Sequence, residues 1–174
     1  MLDVGVTDAA FGDPHGHGSD NFFEAFYPWP GQITAVGVAE LPRFRAAFPE
    51  VRFVVADGRA LPFAEGEFDV ALSNAVLEHL GGPEDQRAFV HELCRVGERV
   101  FVSTPNRWFP VEVHTLLPFV HWLPHPLAER TFRALRRPGA ADIRLLGPRD
   151  FAALFPYRVA IVNTGMNLIA IGPA

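Results

Sequence analysis

The chain has 174 residues, 49% hydrophobic and 20% charged, which excludes a disordered chain and suits a single domain, 1-174, with a substantial core. A net charge of -5 and a pI near 5.8 exclude a protein that holds nucleic acid by bulk electrostatics. One cysteine, Cys94, excludes an internal disulfide framework and suits a reducing, cytoplasmic setting. The most apolar stretch, Leu116 to Leu127, is interrupted by Pro118, His121, Pro124 and His125, and no charged-then-apolar leader opens the chain, so neither a spanning helix nor a signal peptide is expected.

Met1 to Val6, MLDVGV, reads as a first central strand with an acid, Asp3, and a glycine, Gly5, near its end. Thr7, Asp8 and Ala9 follow, with no further glycine among them. A chain that starts on its central strand leaves three readings open: a covering helical segment is lost, the true start lies upstream, or a partner subunit, such as a homodimer mate, covers the apolar face. Phe11 to Asp20, FGDPHGHGSD, reads as a solvated loop, and its His15 and His17 alternate with glycines and have no nearby third ligand. Phe22, Phe23, Phe26, Tyr27 and Trp29 form an aromatic cluster on a short helix, read as core.

Gln32 to Val38 is a second strand, and Leu41 to Phe48 a short helix ended by Pro49. VRFVVA and FDVALS then read as two buried strands, with Asp57 just past the first and Ser73 and Asn74 at the end of the second. Apolar runs this short, bounded by Asp-Gly, Leu-Pro and Glu-Gly, fit strands covered on both faces of a parallel sheet, where ligands bind at the carboxyl ends. Gly82-Pro83 starts a helix that carries Ala88, Phe89, Leu93 and Val96 at helical intervals, and Arg99 to Ser103 is a fifth strand. The run from Thr104 is too long and aromatic for a simple crossover and predicts a helical cap at about 104-140. Within it, Leu127 to Arg137 reads as a basic amphipathic helix, suited to packing on the domain or to resting on an anionic membrane surface. Gly147-Pro148 introduces a short helix, and Tyr157 to Val162 with Asn167 to Ile171 predict an antiparallel edge pair.

The combination V-x-A-D-x-x-x-L-P-F, F-D-V-x-x-S and V-L-E-H-L resembles the class I S-adenosylmethionine (SAM) dependent methyltransferases, in particular their small-molecule branch, over nearly the whole chain. The resemblance implies an α/β, Rossmann-like, predominantly parallel seven-stranded sheet with helices on both faces and an antiparallel last strand. It implies SAM as cofactor, with Asp3 and Gly5 in an eroded glycine-rich first motif. Glu40 is the candidate acid for the two ribose hydroxyls, against the reading of a solvated helix start. Asp57 would accept from the adenine amine while the backbone N–H of Gly58 or Arg59 donates to a ring nitrogen; the alternative for Asp57 is an Asx turn. Ser73 and Asn74 would lie beside the sulfonium.

Ala75 to Leu80 resembles the V-L-E-H-L signature that opens the next helix. In some quinone-pathway relatives two glutamates and this histidine hold a divalent ion, but Ala75 stands where the first glutamate would be. Glu78 and His79 alone would hold an ion weakly, so no required metal is expected. His79 is either part of the reacting site or a loop organiser bonded to a backbone carbonyl. P-N-R-W-F-P followed by H-T-x-L-P resembles relatives associated with cell-surface glycan and lipid-linked biosynthesis, which makes Asn106, Arg107, Trp108 and His114 candidates for the acceptor site. His114 is the candidate general base, since neutral imidazole can take a hydroxyl proton near neutral pH, against a structural role within the cap.

The reading is an enzyme that transfers methyl from SAM to a small-molecule acceptor, such as a sugar or lipid-linked glycan intermediate. Four features favour a rival, a catalytically degenerate protein acting as a binding or interaction subunit: the missing glycines, Ala39 beside Glu40, Ala75, and the abrupt start. A membrane module using the 127-137 helix is a second rival, and a nicotinamide dehydrogenase a distant one, because G-x-G-x-x-G is absent after the first strand.

Overall fold

The computed structural model describes residues 1–12, 20–135 and 143–173. Seven strands, β1 (Leu2–Val4), β2 (Thr34–Gly37), β3 (Arg52–Val55), β4 (Phe68–Asn74), β5 (Gly97–Pro105), β6 (Ala160–Asn163) and β7 (Asn167–Gly172), form one sheet in the order β3-β2-β1-β4-β5-β7-β6. β1 pairs in parallel with β2 and β4, β2 pairs in parallel with β3, and β6 pairs antiparallel with β7 at an edge. The helices are α1 (Phe22–Phe26), α2 (Pro42–Ala47), α3 (Pro83–Val96), α4 (His125–Ala134) and α5 (Pro148–Ala152). This is the Rossmann-like mixed sheet expected from the sequence, and its order changes direction between β1 and β4, where such sheets hold ligands. By internal contacts the chain divides into two compact units, Met1–Ser73 with Ala88–Phe101 and Asn74–Arg87 with Val102–Ala174.

In the first unit all four residues of β2 are buried, as a strand covered on both faces must be. Ile33, Ala35, Phe44 and Val51 form a core cluster to which Val6, Phe23, Tyr27, Leu41, Phe48 and Phe53 add partly buried surface. Only part of the aromatic run of α1 is core: Phe23 and Tyr27 pack on this cluster, whereas Phe26 and Trp29 are exposed. α2 starts with Pro42 in its first turn, where the missing N–H costs nothing, yet its N-cap residue Leu41 offers no side-chain cap. Asp8 fills that role from 35 residues upstream: its Oδ1 accepts from Arg43 N at 2.7 Å and Phe44 N at 3.1 Å. Thus one residue that replaces an expected glycine fixes the start of a helix. In α3, Phe89, Val90, Leu93 and Val96 are buried at helical spacing.

In the second unit, V-L-E-H-L does not open α3. Leu77–His79 is a single 3-10 turn, Leu80 is extended, and α3 begins only at Pro83, because Gly81 and Gly82 interrupt the path and proline favours a first helical turn. Among the described residues of the expected cap, the α-helix is His125–Ala134. Pro105, Pro110, Pro118 and Pro124 break residues 105–124 into turns, an isolated antiparallel bridge between Val111 and Pro118, and a 3-10 turn at Val120–Trp122. α4 follows, with Ala128 and Phe132 buried against Leu117, Val120 and Ile143 and with Leu127 and Leu135 exposed. Arg136 and Arg137 of the anticipated basic helix lie outside the described residues, as do His15 and His17.

Gly58 illustrates how tightly the loop after β3 is set on α3. A Cβ there would fall 2.4 Å from the buried ring of Phe89 and 3.0 Å from Val4. Gly58→Ala is therefore expected to destabilise the protein by about 1–3 kcal/mol, as overpacking does, measured as a lower urea midpoint with unchanged slope.

Candidate functional site

At the end of β1, Asp3 is 7% exposed and meets Glu24 of α1, which is 3% exposed. Burial, then the neighbouring Glu24 charge, pushes the Asp3 carboxyl well above its ordinary value, and burial raises Glu24. Two acids this close in a dry site favour a shared proton over two charges. Gly5 follows with φ 108°, a backbone angle that favours glycine, and its N–H donates to Val36 O at 2.9 Å. α1 is tied to the turn after β1 by Asn21, whose side-chain amide donates to Thr7 O at 2.9 Å and Ala9 O at 2.6 Å while its Oδ1 accepts from Thr7 N at 3.1 Å. The sequence reading missed Glu24. An acid inside an aromatic helical run, FFEAF, was the available signal.

Asp57 lies in an Asx-type turn: Oδ1 accepts from Arg59 N at 2.9 Å and the Arg59 guanidinium reaches Oδ2 at 2.7 Å. These bonds from Arg59 hold its carboxyl below the usual range. The Arg59 N–H, one of two candidate donors to a ring nitrogen, is thus already used, and the pair remains solvent-accessible. The loop beyond it is fixed by α3, since Arg95 donates to Phe63 O at 2.8 Å and Leu61 O at 3.0 Å, and Glu92 accepts from Leu61 N at 2.8 Å. Glu40 sits three residues past β2, exposed and 3.2 Å from Arg45. The Ser73 hydroxyl donates to Val4 O at 2.9 Å, stitching β4 to β1.

The second unit holds a polar cluster. Asn74 Oδ1 accepts from the Ser103 hydroxyl, and Ala75 takes a left-handed φ of 55° with its N–H on Ser103 O at 3.1 Å. The turn that follows is pinned by buried Gln86, whose amide donates to Leu77 O at 3.0 Å and Arg144 O at 3.1 Å. This puts Glu78 at 0% exposure, with Oε2 accepting from Thr104 Oγ1 at 3.1 Å and Oε1 buried without a hydrogen-bond partner. Burial raises the Glu78 carboxyl to about 7 against the opposing pull of Thr104.

His114 faces this turn from the Pro110 to Phe119 loop. Its Nε2 is 4.0 Å from Glu78 Oε1 and its ring meets that of His79 edge-on at 5.2 Å between centroids. Glu112 orients it: Oε1 accepts from His114 N at 3.1 Å and Nδ1 at 2.7 Å, and Oε2 accepts from Thr115 N and Oγ1, both at 2.7 Å. Burial opposes the charge on Glu112, but the bonds from His114 and Thr115 win and hold it down to about 2. The same bond from Glu112 raises His114 against burial. Ligand atoms of Glu78, His79 and His114 lie within 4.8 Å of one another, so the two-residue count behind the expectation of no metal omitted a third donor. Nothing in residue spacing connects His114 to Glu78.

The other acceptor candidates divide. Asn106 is buried, its Oδ1 accepting from Trp108 N at 3.0 Å and its amide donating to Gly165 O at 2.9 Å, so its polar atoms serve the backbone. Trp108 is exposed and packs beside Gly147, where a Cβ would fall 2.9 Å from the indole nitrogen. Arg107 lines a cavity of about 470 Å³ in the second unit, together with Gln86, Glu112, His121, Phe132 and Leu154. That volume lies in the range of small-molecule sites.

Comparison with known proteins agrees with this layout. Residues 15–99 match the family model described as a methyltransferase domain. An uncharacterized methyltransferase of Mycobacterium sp. (strain KMS) is 41% identical over 70 residues, which cover 38% of this chain and 27% of that protein. In structure the chain resembles the YcgJ protein from Bacillus subtilis (TM-score 0.56, 19% identity, 92% of this chain and 62% of that one). It also resembles the N-methyltransferase NodS from Bradyrhizobium japonicum WM9 in complex with S-adenosyl-L-homocysteine (TM-score 0.56, 12% identity, 98% and 74%). The chain thus spans about a quarter of the curated relative it matches.

The Asp3–Glu24 pair predicts a pH signature. Both carboxyls are raised in the folded state, so the fold binds protons more tightly than the unfolded chain, whose acids titrate near ~4. The pair's contribution is largest below that value and is lost as pH rises through the raised folded values. Glu24→Gln, which removes the second acid, is expected to flatten this loss and to melt a few degrees higher than the parent at pH 8, with the gap closing toward pH 4, as followed by thermal unfolding. For a chain of this size roughly 2–4 °C corresponds to 1 kcal/mol.

Proposed function

We propose that this chain, which carries a methyltransferase domain of the class I SAM-dependent fold, transfers a methyl group from SAM to a small-molecule acceptor. The observation that carries the reading is the match over residues 15–99, which spans the candidates Glu40, Asp57, Ser73 and Glu78 and the whole of β2 to β4. SAM is the cofactor this domain implies, and the first unit offers groups that fit it. Asp3 and Glu24 form a buried acidic pair, a setting suited to a cationic ammonium, and Gly5 lets the backbone turn away at the strand end. Glu40, exposed beyond β2, would take the ribose hydroxyls; Asp57 with Gly58 the adenine; Ser73 and Asn74 the region of the sulfonium.

The sulfonium supplies an activated methyl, so the residues of this chain mainly align the acceptor and exclude water. Such alignment is worth roughly 7–11 kcal/mol in favourable cases. The Glu78, His79 and His114 cluster is where the acceptor's proton or charge would be handled, with Glu112 fixing the His114 ring. A hydroxylated acceptor, such as a sugar or lipid-linked glycan intermediate, suits this polar cluster and Arg107, which lines the same cavity as Glu112. The degenerate, non-catalytic alternative draws support from Asp8, which caps α2 in place of a flexible glycine.

Isothermal titration with SAM and S-adenosyl-L-homocysteine tests the proposal, and no binding at millimolar ligand would overturn it. Asp57→Ala is expected to weaken cofactor binding about tenfold, ~1.4 kcal/mol, with little change in melting temperature because the Asp57–Arg59 pair is exposed. His114→Ala is expected to lower turnover roughly 10²-fold at nearly unchanged cofactor affinity; equal turnover would remove His114 from the chemistry.

A further inference from the structure

We propose that Glu78, His79 and His114 form a binding site for one divalent first-row transition-metal ion, with Glu112 as the positioning residue for His114. The site stands on geometry, independent of the methyl-transfer reading. Glu78 is fully buried, and Thr104 occupies Oε2, which leaves Oε1 as a buried lone-pair donor with no hydrogen-bond partner. A buried acceptor of this kind calls for a cation or a proton donor. His114 Nε2, which faces it, is 4.0 Å away, too far for a hydrogen bond. Two bonds of ~2.0–2.2 Å at a tetrahedral ion hold their donors roughly 3.4 Å apart, so Oε1 and Nε2 would have to close by about half an ångström to share one.

The orientation of His114 points the same way. Its Nδ1–H is bound to the Glu112 carboxylate at 2.7 Å, so the lone pair lies on Nε2, the atom that faces Glu78. Carboxylate–imidazole contacts of this sort fix the tautomer of metal-bound histidines. His79 completes a set whose donor atoms lie within 4.8 Å of one another. Two imidazoles and one carboxylate favour ions such as Zn²⁺ or Fe²⁺ over Mg²⁺ or Ca²⁺, which prefer oxygen donors. Three protein ligands leave a coordination position open, and the exposure of His79 and His114 gives an exogenous oxygen access to it. The set differs from one built within the V-L-E-H-L stretch, because the third donor comes from the Pro110 to Phe119 loop.

Equilibrium dialysis of the full chain against Zn²⁺ and, separately, Mg²⁺, with bound metal quantified by mass spectrometry, tests the site. The expected result is about one Zn²⁺ per chain, no retained Mg²⁺ at the same concentration, and binding at least tenfold weaker in Glu78→Gln and in His114→Ala. Glu112→Gln removes no ligand and is expected to weaken binding by roughly 10–100-fold. The double variant His15→Ala/His17→Ala is expected to bind as the parent does. Because a change at Glu78 can disturb the turn, the visible spectrum of the cobalt-loaded parent provides a reading that needs no variant: intensified d–d bands relative to the aquo ion are expected. A parent spectrum like the aquo ion, Zn²⁺ binding unchanged in the Glu78 and His114 variants, or binding lost only in the His15/His17 variant would overturn the proposal.

Discussion

The polar cluster of the second unit is organised by a single carboxylate, Glu112, that accepts from His114 N, His114 Nδ1, Thr115 N and Thr115 Oγ1. A carboxylate only 2% exposed is costly to desolvate, and these donors are what keep it charged. The loop is also held by a one-residue bridge between Val111 and Pro118 and by backbone bonds such as Leu116 N to Glu112 O at 2.7 Å, Glu112 N to Leu117 O at 2.9 Å and Phe119 N to Pro110 O at 2.8 Å. Leu116 and Phe119 both sit at positive φ, an expensive conformation for branched or bulky residues. Glu112 therefore fixes at once the path of the backbone and the tautomer of the histidine it carries.

The first unit solves a different problem with similar means. Where a run of glycines would let the chain fold back after β1, this sequence spends polar side chains. Asp8 caps α2, and Asn21, itself at φ 54°, clasps Thr7 and Ala9. The result is a turn after β1 fixed by identifiable bonds and braced against α1 and α2. Similarly, the loop that carries Asp57 is braced from α3 by Arg95 and Glu92. Precision in loops is obtained here by cross-bracing from helices, which is what positioning a ligand at strand ends requires.

Much of the architecture was legible because it rests on local patterns. Short apolar runs ending in turn signals located each strand, and Gly82-Pro83 located the start of α3. The cap was less legible, since an aromatic and apolar run can pack as turns as well as helix, and its four prolines decided for turns through 124. Candidate residues could be named from the sequence where they lie on or just past a strand, as with Asp3, Asp57 and Ser73. What depends on distant partners was not legible: Glu24 on Asp3, Asp8 on the amides of α2, and His114 on Glu78. Periodicity says which face a residue occupies but not which residue from another segment will meet it.

Glu112 also lines the 470 Å³ cavity of the second unit, so the same carboxylate looks two ways. Any occupant that offers a hydrogen-bond donor to Glu112 must compete with His114 or Thr115 for its lone pairs. Occupancy of the cavity and the stance of the imidazole are then thermodynamically linked, and the linkage is reciprocal: whatever fastens His114 changes the cavity's affinity by the factor that the cavity's guest imposes on His114.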